Sequence, residues 1–174
     1  MKEAEKKIKK SPYMMNRELS WLKFNERVLN EAGNPKVPLA ERLTFVSIYQ
    51  SNLDEFYRVR VGTLMDQMDV SEVVRENKTN MTSEEQVKAI IRATRELEEK
   101  KTVIYEQLMG ELEPKGIRLI NFNKLSAEEG KILEEYFDRE IAPYLSANIV
   151  SKQQPFPFLK NKDILSLIHI SEPT

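Results

Sequence analysis

Apolar residues recur at helical spacing over roughly the first 115 residues of the chain. In NRELSWLKFNERVLNEAGN (residues 16–34) they share one face of a predicted helix, which consists of Trp21, Phe24, Val28 and Ala32, with Leu22 and Leu29 at its edge. Asn16 is placed to cap this helix, and Gly33 with Pro35 ends it. Asn25 falls inside the apolar arc, where we expect a buried amide whose hydrogen bonds are satisfied.

A second helix is predicted in VPLAERLTFVSIYQ (residues 37–50), because Pro38 suits a first helical turn and apolar residues follow at helical spacing. The apolar face of this helix contains Leu39, Leu43, Val46 and Tyr49, and Phe45 widens it. Since apolar residues cover much of its circumference, we expect the helix to lie at the centre of the core.

The stretch SNLDEFYRVRV (residues 51–61) is predicted to open a third helix, which runs to about Met68. Ser51 or Asn52 would cap it, and acidic residues would occupy its first turn. One stripe of this helix contains Asn52, Phe56, Val59 and Thr63, with Arg60 beside it. Arg60 is a cation inside an apolar arc. Its head either pairs with a carboxylate or contacts a neighbouring domain or a nucleotide.

The longest periodic segment spans residues 83–113, with Thr82 or Ser83 as its cap and acidic residues in its first turn. Its apolar face contains Val87, Ile90, Ile91, Thr94, Leu97, Lys101, Ile104, Tyr105, Leu108 and Leu112. We predict one long amphipathic helix that packs lengthwise on the earlier helices, with a dimer seam as the alternative.

The pattern changes after Pro114 and Gly116. IRLINF (residues 117–122) alternates in a way that predicts a short strand, and residues 126–145 predict a helix capped by Ser126. The predicted fold is therefore mostly α: a helical bundle with one long amphipathic helix, followed by the start of a truncated α+β domain. The predicted segments are a disordered basic tail (1–12), a helical domain (13–115), an incomplete second domain (116–164) and a non-native tail (165–174).

The tail prediction rests on LSLIHISEPT (residues 165–174), which breaks the preceding pattern and resembles a translated sequencing adaptor. A native short strand at residues 165–170 is the alternative. The segment contains His169, the single histidine of the chain, so the origin of the tail decides whether that side chain counts as a functional candidate.

Composition excludes several classes of protein. The 174 residues carry a net charge of −1, which argues against a nucleic-acid protein that relies on a strong basic field. The lysines of residues 6–10 are expected to belong to a solvated tail. No apolar run approaches the roughly 20 residues of a membrane-spanning helix. With no cysteine, the chain is expected to be cytoplasmic, and peripheral membrane association stays open.

Familiar catalytic patterns are missing from the sequence. No cysteine–histidine metal cluster can form, and no glycine-rich phosphate loop is present, since all five glycines are isolated. No serine lies in a nucleophile elbow. We therefore predict no catalytic residue and no metal ligand in this chain. On these grounds alone a non-catalytic interaction module, with the long helix as the partner surface, remains a candidate.

Four stretches nevertheless resemble one family. NRELSWLKFNERVLNEA (16–32), VPLAERLTFVSIYQSNLDEFYRVRVGTL (37–64) and, more weakly, FDREIAPYL (137–145) and PFPFL (155–159) are similar to the N-terminal part of the bacterial polyphosphate kinases that use a catalytic histidine. The resemblance runs from about residue 13 to residue 164. It implies the helical N-terminal domain and the beginning of the head domain of such an enzyme.

The resemblance also implies a function. These enzymes move the terminal phosphate of ATP reversibly onto polyphosphate, with Mg²⁺, and their catalytic histidine and metal ligands belong to C-terminal domains that this sequence lacks. The Asn before LDEF, here Asn52, is implied to bind ATP, and a neutral amide suits the base or ribose end. A homo-oligomeric full-length enzyme is implied, and this fragment alone is expected to be inactive. Simple capping by Asn52 is the alternative.

Overall fold

The computed structural model describes residues 13–70, 73–151 and 156–168. The predicted basic tail at residues 1–12 and the histidine of the last segment lie outside this range. The chain divides into two compact units, Met1–Leu119 and Ile120–Thr174. The extents of the four segments expected from the sequence stay predictions.

Helix α1 spans Arg17–Ala32 and begins and ends where the sequence predicts. The side-chain oxygen of Asn16 accepts hydrogen bonds from the backbone N–H groups of Glu18 (3.0 Å) and Leu19 (3.2 Å), and the helix ends at Gly33. The predicted centre of its buried face is wrong. The buried line consists of Glu18, Leu22, Asn25, Leu29 and Ala32, whereas Phe24 is 47% exposed. The large aromatic side chains suggested the wrong centre, because hydrogen bonding allows a polar residue to occupy the middle of the core.

Helix α2 spans Leu39–Phe56, follows Pro38 and is longer than predicted. The expected start of a new helix at Ser51 or Asn52 is wrong. The chain continues through a π-helical turn, Tyr57–Val61, directly into α3, Gly62–Met68. No proline or glycine interrupts the sequence between Leu39 and Gly62, so nothing breaks the backbone hydrogen bonding there.

The long predicted helix is confirmed as α4, Ser83–Leu112. Its first turn is closed by a capping box, in which the Thr82 hydroxyl accepts from the Glu85 N–H (3.2 Å) and the Glu85 carboxylate accepts from the Thr82 N–H (2.8 Å). The helix packs along α1, α2 and α3, as expected for a bundle. The shared core contains Leu22, Leu29, Val46, Tyr49, Leu53, Phe56, Val61, Leu64, Ile90, Leu97, Ile104 and Leu108.

The second unit contains helix α5, Ala127–Tyr136, with the predicted cap at Ser126. The strand predicted at residues 117–122 is wrong, because this segment is irregular and ends in a short 3-10 turn, Phe122–Lys124. Its apolar side chains are exposed (Leu119 by 76%), and a strand forms only where another strand satisfies its backbone. Residues 165–168 form no strand either. Throughout the described ranges the only β pairing is an isolated bridge between Arg75 and Thr82.

None of the helices in the described part of the chain combines the length and the apolar character needed to cross a membrane.

Candidate functional site

A cleft of about 360 Å³ lies between α1 and the second half of α2 with its π turn. Its volume falls within the range of about 300–1,000 Å³ that is typical of small-molecule sites. It is lined by Trp21, Phe24, Asn52, Glu55, Phe56, Val59 and Arg60. The cleft brings together most of the stripe predicted from the sequence. Thr63 does not line it, and its hydroxyl donates to the carbonyl of Val59 (2.7 Å).

The π turn decides which side chains reach this cleft. Along α2 the buried positions follow at spacings of three and four up to Phe56, but the next buried residue is Val61, five positions on. Hydrogen bonding from i to i+5 adds one residue to this turn, so Val61 takes the core position that regular spacing would assign to Val59 or Arg60. Val59 is 52% exposed as a result and lines the cleft with Arg60.

One wall of the cleft is aromatic. The rings of Trp21 and Phe56 stack with their centroids 4.4 Å apart and their planes 9° from parallel. Phe24 presents a half-exposed ring, and the guanidinium of Arg27 lies 5.6 Å from its centroid. Because Phe56 is only 2% exposed, the aromatic surface that remains for a flat heterocyclic ligand belongs to Phe24 and to the partly buried Trp21.

The polar centre of the cleft is a pair of amides. The Nδ2 of Asn52 donates to the Oδ1 of Asn25 (3.0 Å), and the Nδ2 of Asn25 donates to the backbone carbonyl of Tyr49 (3.1 Å). Asn25 is fully buried, so the expectation of a satisfied amide is confirmed. Because α2 continues through Asn52, the capping alternative for Ser51 or Asn52 is wrong. Within the described residues, the Oδ1 of Asn52 accepts no hydrogen bond.

The charges around the cleft nearly cancel. Arg60 pairs with Glu18 (3.1 Å), whose side chain is only 4% exposed and which also pairs with Arg17 (2.8 Å). The head of Arg60 therefore pairs with a carboxylate, which was the first of its two interpretations. Its contact to another domain or a nucleotide stays a prediction. Glu55 adds a negative charge, so the cleft lacks the excess of cations that a polyanion requires.

The acidic residues expected in a first helical turn, Asp54 and Glu55, lie inside α2 instead. The nearly balanced charges of the cleft, rather than carboxylates in a first helical turn, are therefore what disfavours a phosphate group here. Within the described ranges, no group of three or more His, Cys, Asp or Glu side chains could hold a metal ion. Glu55 is the only carboxylate among the residues that line the cleft, so these residues alone do not form a site for Mg²⁺.

A second groove, of about 630 Å³, lies between α2 and α4 and was not predicted. It is lined by Leu43, Val46, Ser47, Gln50, Ser51, Lys101, Thr102, Tyr105 and Glu106. The ammonium group of Lys101 donates to Gln50 (2.8 Å) and pairs with Glu98. Its walls are mainly apolar, and no signal in the spacing of residues marks it, because helices far apart in sequence form its two sides.

The first unit is thus a helical bundle with an aromatic, nearly neutral cleft between α1 and α2. Residues 14–120 match the family model described as the polyphosphate kinase N-terminal domain. The chain belongs to the polyphosphate kinase family.

Relatives from several bacteria support this assignment. The chain is 43% identical over 153 residues to a polyphosphate kinase of Bacillus cereus, covering 87% of this chain and 22% of that protein. It is 37% identical over 167 residues to the polyphosphate kinase of Synechocystis sp., and this match covers 95% of this chain and 23% of that protein. The crystal structure of polyphosphate kinase from Porphyromonas gingivalis matches 78% of this chain and 20% of its own, with 31% identity and a TM-score of 0.52. The chain thus spans about a fifth of the length of these relatives.

Proposed function

We propose that the chain is the N-terminal part of an enzyme that transfers the terminal phosphate of ATP reversibly to a growing polyphosphate chain. Family membership supports this, and so does the length of the relatives, of which the chain matches only 22%. In this proposal residues 13–115 form the N-terminal domain and residues 116–164 begin the head domain. The phosphorylated histidine and the Mg²⁺ ligands belong to C-terminal domains, so this fragment alone has no activity.

We further propose that Asn52 contacts the base or ribose end of ATP in the aromatic cleft. The observation that carries this proposal is the position of Asn52: its side chain lines the cleft, and one of its N–H groups is anchored on Asn25. Its oxygen is therefore left for a ligand. The aromatic wall and the balanced charges favour the neutral part of a nucleotide over its phosphates.

The test is kinetic, in the full-length enzyme. Asn52→Ala removes one neutral hydrogen bond to the ligand, which is worth about 0.5–1.5 kcal/mol, so the KM for ATP should rise about three- to tenfold. The KM for polyphosphate should stay unchanged. Thr63→Ala is the matched control, because Thr63 belongs to the same predicted stripe but does not line the cleft. An unchanged KM for ATP in Asn52→Ala would exclude the contact.

The remaining expectations concern the whole enzyme. We propose a cytoplasmic location, with peripheral attachment to the membrane as the alternative, and a homo-oligomeric full-length protein. ATP, polyphosphate and the C-terminal domains are its proposed partners, and nucleic acid is not among them. Sedimentation of the purified full-length protein, with and without lipid vesicles, tests both the oligomeric state and the membrane attachment.

A further inference from the structure

Asn25 places a polar amide at a fully buried position of α1. It lies on the buried line of α1 between Leu22 and Leu29 and has no exposed surface. Burying an amide is unfavourable unless its groups find partners, and an apolar side chain would fill this site without that requirement. Both of its observed hydrogen bonds are directed at α2, one to the backbone of Tyr49 and one to the side chain of Asn52.

These two bonds determine the orientation of both amides. A backbone carbonyl only accepts, so the group of Asn25 that faces Tyr49 must be its NH₂. The oxygen of Asn25 then faces Asn52 and accepts from its NH₂. The oxygen of Asn52 is consequently turned away from Asn25 and left for the cleft, and the second N–H of its NH₂ group is fixed with it. An unanchored asparagine can rotate its amide and present either a donor or an acceptor, whereas this one cannot rotate without losing the bond to Asn25.

We propose that Asn25 is a positioning residue, which holds the Asn52 amide with its oxygen as the acceptor for a ligand and so selects a base edge that donates a hydrogen bond. This inference rests on the proposed binding of the nucleotide base at Asn52 and adds to it. A purine with an amino group at position 6 donates to the oxygen there. A purine with a carbonyl at position 6 places two acceptors together, and its nearest donor is N1–H, so it must shift in the cleft to reach the oxygen. The cleft therefore discriminates ATP from inosine triphosphate (ITP), which has the same ring system.

The alternative is that Asn25 only stabilises the packing of α1 on α2. Two substitutions separate these roles. Asn25→Leu keeps the branched shape of the side chain, at a somewhat larger volume, but removes the acceptor, so the Asn52 amide becomes free to rotate. Asn25→Asp keeps an oxygen facing Asn52 in either protonation state, so the orientation is preserved although a carboxyl group is buried.

The experiment measures kcat/KM for ATP and for ITP in the full-length enzyme. Asn25→Leu and Asn52→Ala should each lower the ATP-to-ITP ratio, by about three- to tenfold, and the double variant should lower it no further. Asn25→Asp should retain the wild-type ratio. Leu29→Val, a buried change one turn along the same helix, is the control for lost packing and should also retain it.

The outcomes separate this inference from the proposed function. A ratio lowered by Asn52→Ala but not by Asn25→Leu overturns the positioning role and leaves the contact of Asn52 intact. A ratio lowered equally by Asn25→Leu and Leu29→Val also overturns it, because packing is then the cause. If Asn52→Ala changes neither the ratio nor the KM for ATP, the proposed binding of the base fails as well.

A second measurement uses the chain itself and needs no catalysis. The side-chain amide of Asn52, assigned by its loss in Asn52→Ala, should exchange its protons slowly in nuclear magnetic resonance spectra of the wild type and of Asn25→Asp. In Asn25→Leu the protection should disappear while the backbone amides of α2 stay protected. Equal protection of the Asn52 side chain in Asn25→Leu would overturn the inference.

Discussion

Arg42 offers a sharp test of how the bundle is held together. Its side chain is 7% exposed at the start of α2, where its Nε donates to the carbonyl of Ala32 (2.8 Å) and its Nη1 pairs with Glu111 (2.8 Å). These contacts join the end of α1 to α2 and to the last turns of α4. We expect Arg42→Met, which keeps the apolar stem, to destabilise the fold by about 2 kcal/mol.

The size of the destabilisation expected for Arg42→Met depends on how exposed its two partners are. The charged hydrogen bond to the Ala32 carbonyl is worth about 1.5–3 kcal/mol, and its loss leaves that acceptor without its partner. Arg42→Met also removes the free-energy penalty of burying a charged guanidinium, which offsets part of this cost. Glu111 is half-exposed and returns to water, so the penalty for an abandoned buried charge does not arise. Glu111→Gln should cost less than about 1 kcal/mol, because the glutamine oxygen can still accept the hydrogen bond from Arg42 and because the pair is half-exposed on the glutamate side.

Urea unfolding of both variants distinguishes these contributions. The fluorescence of Trp21, the only tryptophan, reports on the core because its ring stacks on Phe56, and far-UV circular dichroism reports on the helices. If Glu111→Gln costs as much as Arg42→Met, the ion pair rather than the Ala32 carbonyl provides the stability. A cost below about 0.5 kcal/mol for Arg42→Met would refute the reasoning entirely.

Two further predictions concern buried hydroxyl groups. Thr94 is buried in α4, and within the described residues its hydroxyl has no hydrogen-bond partner. Thr94→Val should therefore raise the free energy of unfolding in urea by about 1 kcal/mol. A lower midpoint of urea unfolding would contradict this. Burial, with the Glu98 carboxylate nearby, raises the pKa of the Tyr49 phenol. The neutral phenol thus stabilises the fold below its unfolded pKa of about 10, and this contribution falls by up to about 1.4 kcal/mol per pH unit above that value. The difference in the free energy of unfolding between wild type and Tyr49→Phe should change between about pH 8 and about pH 11. A difference that stays constant over this range would exclude the effect.

Local chemistry made much of the fold predictable. The caps at Asn16, Thr82 and Ser126 were recognisable because a capping side chain bonds to backbone groups two or three residues away. Gly116, at φ 83°, ends its turn in the left-handed conformation that glycine adopts most readily. The long spacing pattern of α4 was also sufficient, since residues three and four apart always share a helical face. The family resemblance, and with it Asn52 as a candidate, likewise needed only the order of residues.

The tertiary structure decided which interpretation of each polar residue holds. Ser51 and Asn52 have the side chains of helix caps, yet Asn52 bonds to Asn25, which lies 27 positions earlier in the chain. The strand at residues 117–122 failed for a related reason, because alternation favours a strand only where a partner edge exists. Periodicity and capping act within a few residues and can be recognised in the sequence. Hydrogen-bond partners on other helices, and the π turn that assigns Val61 to the core and leaves Val59 and Arg60 at the cleft, depend on how the helices pack.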